Sequence, residues 1–342
     1  MIGLLKKADV SFTYLKDIGQ AGQNSRVYLA KDEHLNAEVA IKEVLKSKIK
    51  IADYFQEAQV LYASRHPNIA AINYACQDSD KIYVCMPFYA NGTINDKLNK
   101  TNITPREIIR YSINFLSGLH HIHSKSLMHF DIKPNNIMLS DRDEAMLSDF
   151  GLAQKIDPSG FASQGKHYGI HMPPEAFTTK QFNLTYDIYQ AGITMYRMAV
   201  GAKQFSEEVT ELLADPSNSI TKIKSGNFPK KLYQSHIPKP LKAIINKCLS
   251  VKPSDRYQSA LDVLNELSTI DNVCLDWRFE DTATHYTWSK TLDDAKMVLK
   301  VDKQSTACEM FKEKTDGTKR KDNSNCKSKT KNSDIYMILK GN

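Results

Sequence analysis

HFDIKPNNIMLSDRDEAMLSDFG, residues 129–151, decides how the rest of the chain is read. It sets Asp131, Lys133 and Asn136 on one loop and Asp149 on the next, with two short apolar runs between them. Those runs, residues 137–139 and 145–147, flank Asp141 and Asp143, a pattern that predicts a β-hairpin. Folding the hairpin back carries Asp149 to Asn136, so a carboxylate and an amide oxygen converge as the hard oxygen ligands that Mg²⁺ prefers. Asp131 and Lys133 are left to face a hydroxyl and a phosphate. Each residue alone could be a turn residue, since Asp, Asn and Pro dominate turns. Together, in this order, they are hard to explain that way.

Asp-x-Lys-x-x-Asn followed by Asp-Phe-Gly closely resembles the eukaryotic-type (Hanks-type) serine/threonine protein kinase family. The resemblance implies an α+β, two-lobed protein-kinase fold. A small β-rich lobe would span residues 12–86, and a hinge with a larger helical lobe residues 87–270. It also implies ATP and Mg²⁺ as cofactors and proteins bearing Ser/Thr hydroxyls as substrates, with autophosphorylation as a further outcome. Asp131 would orient or accept the proton of the substrate hydroxyl, and Lys133 would neutralise charge developing on the γ-phosphate. Asn136 and Asp149 would hold the metal. Lysine at position 133 is common in serine/threonine kinases, whereas tyrosine kinases place an arginine elsewhere in the loop.

Upstream, residues 12–18, 25–30 and 37–44 are rich in β-branched and aromatic residues between polar breaks, which predicts strands. IGQAGQNSRVY, residues 18–28, resembles the kinase glycine-rich loop, with Ile18, Gly19, Gly22 and Val27 as nucleotide-contacting positions. One residue is inserted, and Ser25 stands where the last glycine is expected; alone, the stretch is equally an ordinary hairpin turn. In VAIK, residues 39–42, alternation puts Ala40 and Lys42 on one face, for the base and the phosphates respectively. A strand-end lysine is usually just solvated, so Lys42 needs a partner. An Asp53/Gln56 capping pattern and the spacing of Phe55, Ala58 and Leu61 or Tyr62 predict a helix over residues 53–65, and the resemblance implies that Glu57 on it pairs with Lys42, where it is otherwise a surface glutamate. IYVCMPFYANG, residues 82–92, resembles the last strand of the small lobe and the hinge. There Met86 would back the adenine pocket and Pro87 and Tyr89 would lend backbone groups, with Met138 of the hairpin as a further cofactor-binding residue.

Thr104, Pro105 and Glu107 predict a helix start, and Ile109, Ile113, Leu116 and His120 follow at helical spacing. His120, His121 and His123 have no acidic or cysteine neighbour to complete a metal site, so packing and hydrogen bonding are the expected roles, as for His129. Phe130 stands where many family members have an arginine that grips an activation-segment phosphate. The resemblance therefore implies activity without that phosphorylation. The segment would end at MPPE, residues 172–175, with Glu175 paired to Arg256. Tyr168 replaces an expected threonine, and Ser159 and Ser163 are candidate autophosphorylation sites. Asp187 opens a mostly apolar helix over residues 186–200 and reads as scaffold aimed at the catalytic loop.

The resemblance ends after Asp271, and residues 271–342 predict a small C-terminal β appendage followed by a basic, Lys-rich extension. Asp316-Gly317 is its hairpin signal. The chain of 342 residues has a net charge of +7; residues 310–342 hold nine Lys/Arg and four Asp/Glu, hence +5, leaving +2 for the remainder. The run over residues 312–331 suggests either a solvated, partly disordered extension or a surface for nucleic acid or an acidic partner. Six scattered cysteines without C-x-x-C spacing argue against a zinc site or disulfide framework and for a reducing, cytoplasmic setting. No stretch is apolar enough to serve as a secretory signal or membrane span. Two rivals to an active kinase stay open: a nucleotide-binding pseudokinase scaffold, and a nucleic-acid binder acting through the tail.

Overall fold

The computed structural model describes residues 9–19, 25–48, 62, 65–165, 169–271 and 274–341. The chain opens with an antiparallel sheet of five strands: β1 (Phe12–Asp17), β2 (Ser25–Asp32), β3 (Ala37–Leu45), β4 (Tyr74–Gln77) and β5 (Lys81–Pro87), ordered β1-β2-β3-β5-β4. Register assigns its two faces. Val27 lies opposite Lys42 and Leu29 opposite Ala40, while Lys42 lies opposite Val84 and Ala40 opposite Met86. Because side chains alternate, Val27, Leu29, Ala40, Lys42, Val84 and Met86 share one face. The other face carries Tyr28, Ala30, Val39, Ile41 and Cys85, a buried cluster flanked by Phe12, Tyr74 and Tyr83.

The helical part follows, with α1 (Ile94–Lys100) and α2 (Pro105–Ser124). Thr104 caps α2 as expected: its hydroxyl accepts from the Glu107 N–H, the Glu107 carboxylate accepts from the Thr104 N–H, and Pro105 fills the first turn. Ile108, Ser112, Phe115, Leu119 and Ile122 form its buried stripe. At Gly118 a Cβ would stand 2.5 Å from the Asn68 carbonyl oxygen, so only glycine lets residues 66–69 lie this close. Short pairings come next: β6 (Leu127–Met128) with β9 (Gln154–Lys155), β7 (Ile137–Leu139) with β8 (Ala145–Leu147), and β10 (Ala162–Ser163) with β11 (Gln181–Phe182). The β7–β8 pair is the hairpin expected from the opening stretch.

Helix α3 (Thr185–Leu213) runs through the core and breaks at Gly201, where φ is +83°. The Asn102 side chain fills the space a Cβ would need there, so backbone and packing both demand glycine. Helices α4 (Pro216–Lys224), α5 (Lys239–Cys248) and α6 (Ala260–Ser268) complete this part. Arg256, fully buried, holds Glu175 through two 2.7 Å contacts, the pairing expected between them. The helix expected over residues 53–65 falls almost wholly outside the described residues, as do Gly22, Glu57 and Tyr168.

Past Asp271 lies an antiparallel meander of five strands: β12 (Arg278–Asp281), β13 (His285–Thr291), β14 (Ala295–Asp302), β15 (Cys308–Lys314) and β16 (Lys319–Lys321). A last helix, α7 (Asn332–Lys340), closes one face. Trp277, Phe279, Trp288, Leu299, Met310, Ile335 and Leu339 form its separate core. The lysine-rich run over residues 312–331 takes in the end of β15 and all of β16. Lys319 pairs with Glu313 and Lys321 with Glu309, each at 2.7 Å, Lys327 with Asp334 at 2.8 Å and Lys312 with Asp294 at 3.7 Å. Of these carboxylates Asp294 and Glu309 come from outside residues 310–342, while Glu313 and Asp334 belong to that stretch.

The appendage is joined to the helical part by the Arg106–Asp276 ion pair, by Asn102 donating to the Phe279 carbonyl at 2.8 Å, and by Trp288 Nε1 donating to His236 Nδ1 at 3.1 Å. Burial, with Lys242 nearby, pulls His236 from 6.5 down to about 3. The unfolded chain therefore binds a proton below 6.5 that the folded one refuses, and stability falls as pH drops from there. The loss at pH 5 is about 2 kcal/mol. Both tryptophans lie in the appendage, so their fluorescence should show an unfolding midpoint that declines from pH 7 to pH 5. A flat profile would remove His236 from the joint.

Candidate active site

Lys42 reaches out of the small sheet and its Nζ lies 3.2 Å from Asp149 Oδ1. That contact spans 107 residues of sequence and joins β3 to the loop after β8. The Lys42 ammonium, acting against burial, holds the Asp149 carboxyl below its ordinary range. Asp149 itself sits at φ +59°, a left-handed conformation that costs an aspartate about 1 kcal/mol or more and marks a backbone held in place by its surroundings. Ser148, just before it, donates its N–H at 2.9 Å and its hydroxyl at 3.0 Å to the Asn136 carbonyl, so the hairpin returns the residue preceding Asp149 to Asn136.

On the other loop, Lys133 Nζ lies 2.9 and 2.7 Å from the two Asp131 oxygens. Asn136 Nδ2 donates to Asp131 Oδ2 at 2.7 Å and to the Asp131 carbonyl at 2.9 Å. The amide nitrogen is thereby committed and Asn136 Oδ1 is left as the acceptor. Asn136 Oδ1 and the Asp149 carboxylate are hard oxygen donors, and among the described residues no group of three His, Cys, Asp or Glu could form an all-protein metal cage. This donor set suits a divalent ion that completes its shell with phosphate oxygens and water.

What holds the loop was only half visible in sequence. Asp187, fully buried, accepts the N–H of His129 at 2.8 Å and of Phe130 at 2.9 Å, and lies 2.8 Å from His123 Nε2. Burial pushes this carboxyl up, while the His123 hydrogen bond and the neighbouring imidazoles and N–H groups bring it below its ordinary value. One turn on, Gln190 accepts from the Ile132 N–H and donates to the Phe130 carbonyl, both at 3.0 Å; the Thr194 hydroxyl donates to the Ile132 carbonyl at 3.4 Å. The sequence reading missed Gln190 and Thr194. Their signal was present as polar residues three and seven positions after Asp187 on one face of an apolar helix. His129 is buried, and burial pulls its imidazole below the ordinary value against the opposing charges of Asp187, Asp131 and Asp149. Its Nδ1 accepts from the Asp131 N–H at 3.2 Å, so Nε2 carries the proton and donates to the Ser148 carbonyl at 3.1 Å.

Of the remaining expected residues, Val27, Ala40 and Met86 lie on the sheet face that carries Lys42. Ile18 and Gly19 both donate to the Val27 carbonyl at 3.2 Å, Pro87 ends β5, and Tyr89 follows it, its carbonyl accepting from Gly92. Met138 lies in β7 and bridges to Thr93, which caps α1 in a capping box with Asp96.

The family model described as a protein kinase domain matches residues 12–267. This chain belongs to the protein kinase family. It is 31% identical over 266 residues to a probable serine/threonine-protein kinase of Clostridium acetobutylicum, covering 75% of this chain and 39% of the relative. It is 29% identical over 259 residues to the serine/threonine-protein kinase STE20 of Saccharomyces cerevisiae, covering 75% and 26%. With PrkC of Bacillus subtilis, also a serine/threonine-protein kinase, it shares 26% identity over 271 residues, covering 77% and 41%. The chain thus spans about two fifths or less of the length of these relatives. The family implies ATP as substrate, a divalent metal and protein acceptors, and the kinase domain ends where the appendage begins. Among the described residues no helix is long and apolar enough to cross a membrane.

Proposed function

We propose that this chain transfers the γ-phosphate of Mg·ATP to serine or threonine hydroxyls of proteins, itself included. The observation that supports this most is the 3.2 Å contact of Lys42 with Asp149, which ties the small sheet to the loops bearing Asp131, Lys133 and Asn136. Lys42 would hold the phosphates of a nucleotide lying against Ala40, Val27 and Met86. Asp149 and Asn136 would hold Mg²⁺, which when bound screens the charge of the phosphate oxygens. Asp131 would orient the acceptor hydroxyl and take its proton, and Lys133, already at Asp131, would steady the transferring group; the protein's work is positioning and electrostatics. Lys133 and the relatives' printed descriptions support Ser/Thr over tyrosine. Among the described residues the cysteines form no disulfide, which suits a reducing compartment, and we place the enzyme in the cytoplasm. The test is transfer of label from γ-labelled ATP to protein, with and without Mg²⁺. A chain that neither transfers label nor retains Mg·ATP would overturn the proposal.

Phe130 bears on regulation. It is 2% exposed, at φ +65°, with Tyr186 at 4.9 Å and Phe182 at 5.9 Å between ring centroids. An apolar cluster thus occupies the place of a phosphate-gripping arginine. Phosphatase-treated enzyme should retain its activity, and loss of activity on treatment would count against this.

A further inference from the structure

His66 and His121 face each other as stacked rings, with centroids 5.0 Å apart and planes inclined by 28°. The His66 ring also closes a turn. Its Nδ1 accepts the Asn68 N–H at 3.1 Å, and its carbonyl accepts from Ile69 at 3.0 Å, over Pro67 and Asn68. Nε2 therefore carries the single proton of the neutral ring. Asn68 hands this turn on to the hairpin: its carbonyl accepts from the Leu147 N–H at 2.9 Å, and its side-chain amide donates to the Ala145 carbonyl at 3.3 Å. Ala70 donates to the Leu147 carbonyl at 2.8 Å, and Ile69 bridges Leu147 in parallel, so the segment lies beside β8 as a further partner. Strand β8 runs directly into Ser148, which bonds Asn136, and Asp149, which meets Lys42.

A second proton on His66 has only Nδ1 to go to. Both nitrogens of an imidazolium are donors, so the Asn68 N–H would lose its acceptor and face another N–H. The surroundings oppose that charge. Burial, and then the charges of His121 and His120, pull the His66 imidazole below its ordinary value. Burial, Lys125 and His120 lower His121 likewise, and its Nε2 is buried without a partner. Arg65, just before His66, holds its guanidinium 4.2 Å from the Tyr62 ring centre. Of the three histidines on α2, His123 alone has a carboxylate, Asp187; among the described residues His66, His120, His121, Arg65 and Lys125 have none within ion-pair distance. His66 is half-buried, so protons reach it from solvent. It is neutral at pH 7.5 and gains its charge only below the ordinary value of 6.5, so the turn is closed at neutral pH and weakened in acid.

We propose that His66 is a proton-sensing positioning residue: its neutral ring closes the turn that braces β8 and hence Asp149, acidification opens that turn, and the stacked His121 sets how readily. The proposal rests on the protein-kinase reading above and adds a regulation of the same site. The test compares the full chain with His66→Asn and His121→Gln, using γ-labelled ATP, Mg²⁺ and a protein acceptor from pH 7.5 to pH 5.0. Asparagine places an amide oxygen close to the position of Nδ1 and cannot be charged, so His66→Asn should match the wild type at pH 7.5. Toward pH 5.0 the wild type should lose about fivefold more kcat than this variant, the effect of one hydrogen bond. Protonation of ATP is common to both proteins and cancels in their ratio. His121→Gln removes a like charge and should move the wild-type fall to higher pH. Amide exchange at Leu147 gives a readout independent of transfer: its protection should drop in acid in the wild type and hold in His66→Asn. A wild-type to His66→Asn ratio that stays constant with pH overturns the sensor and leaves the kinase reading standing. If His66→Asn does not fold, an unshifted pH profile in His121→Gln overturns it instead. If no protein transfers label, the kinase reading falls and the exchange decides the sensor, which is overturned where Leu147 behaves alike in wild type and His66→Asn.

Discussion

Asp131→Asn is expected to leave a folded protein that still holds nucleotide but transfers phosphate about 10²–10⁴-fold more slowly. The substitution keeps the shape of the side chain and removes its basicity. Asp131 is buried and accepts from Lys133 and Asn136, all within 2.9 Å. An asparagine offers those donors one oxygen in place of two and cannot take a proton from the acceptor hydroxyl. The loss should therefore fall on kcat, with KM for ATP little changed, because Lys42 and Asp149 lie elsewhere. A control melt should show little change, since one rearranged hydrogen bond costs about 1 kcal/mol. Equal labelling by wild type and variant would remove Asp131 from the chemistry.

The candidate catalytic stretch was legible as a cluster because its residues are local. Asp131, Lys133 and Asn136 lie within six residues, the β7–β8 hairpin connects them to Asp149, and alternation in VAIK orients Lys42. Capping chemistry is equally local, and Thr104 with Glu107 behaved as their spacing implied. Pairings remote in sequence were reached through family resemblance, as with Glu175 and Arg256, or were missed. Gln190 and Thr194 are ordinary polar residues until the loop they bind is folded onto α3. Gly22 and Glu57, which complete the expected nucleotide set, lie outside the described residues.

The appendage shows the limit of composition. The Asp316-Gly317 turn announced a hairpin, and strands β15 and β16 lie on either side of it. The lysines over residues 312–331 that pair with Asp294, Glu309, Glu313 and Asp334 are half-exposed, so the solvated reading stands, but a net charge does not register the pairing. Helix α7 is short, and its signal was the spacing of Ile335, Ile338 and Leu339, three apolar residues on one face that only acquire meaning against a sheet waiting to be covered.

Asp187→Ala should damage the protein more broadly than any change at Asp131, although Asp187 touches neither nucleotide nor acceptor in the mechanism proposed. Three donors converge on its carboxylate: the backbone N–H groups of His129 and Phe130, and the His123 ring. Alanine leaves all three in a buried site with no acceptor, and each orphaned group costs about 1–3 kcal/mol. The sum, roughly 3–9 kcal/mol, is comparable to the whole stability of many domains. Phe130 also sits at φ +65°, a conformation that the Asp187 and Gln190 bonds hold; without the first of these the loop relaxes and Asp131 loses its aim. Asp187→Asn tests the same point more gently, because it keeps one acceptor oxygen while turning an amide N–H₂ toward donors. Both variants should unfold at lower urea than wild type, alanine more so, and whatever remains folded should transfer phosphate poorly. Asp131→Asn, by contrast, separates activity from stability. An Asp187→Ala protein with wild-type unfolding and wild-type transfer would mean that the catalytic loop keeps its shape without α3, and would return Asp187 to the ranks of incidental buried acids.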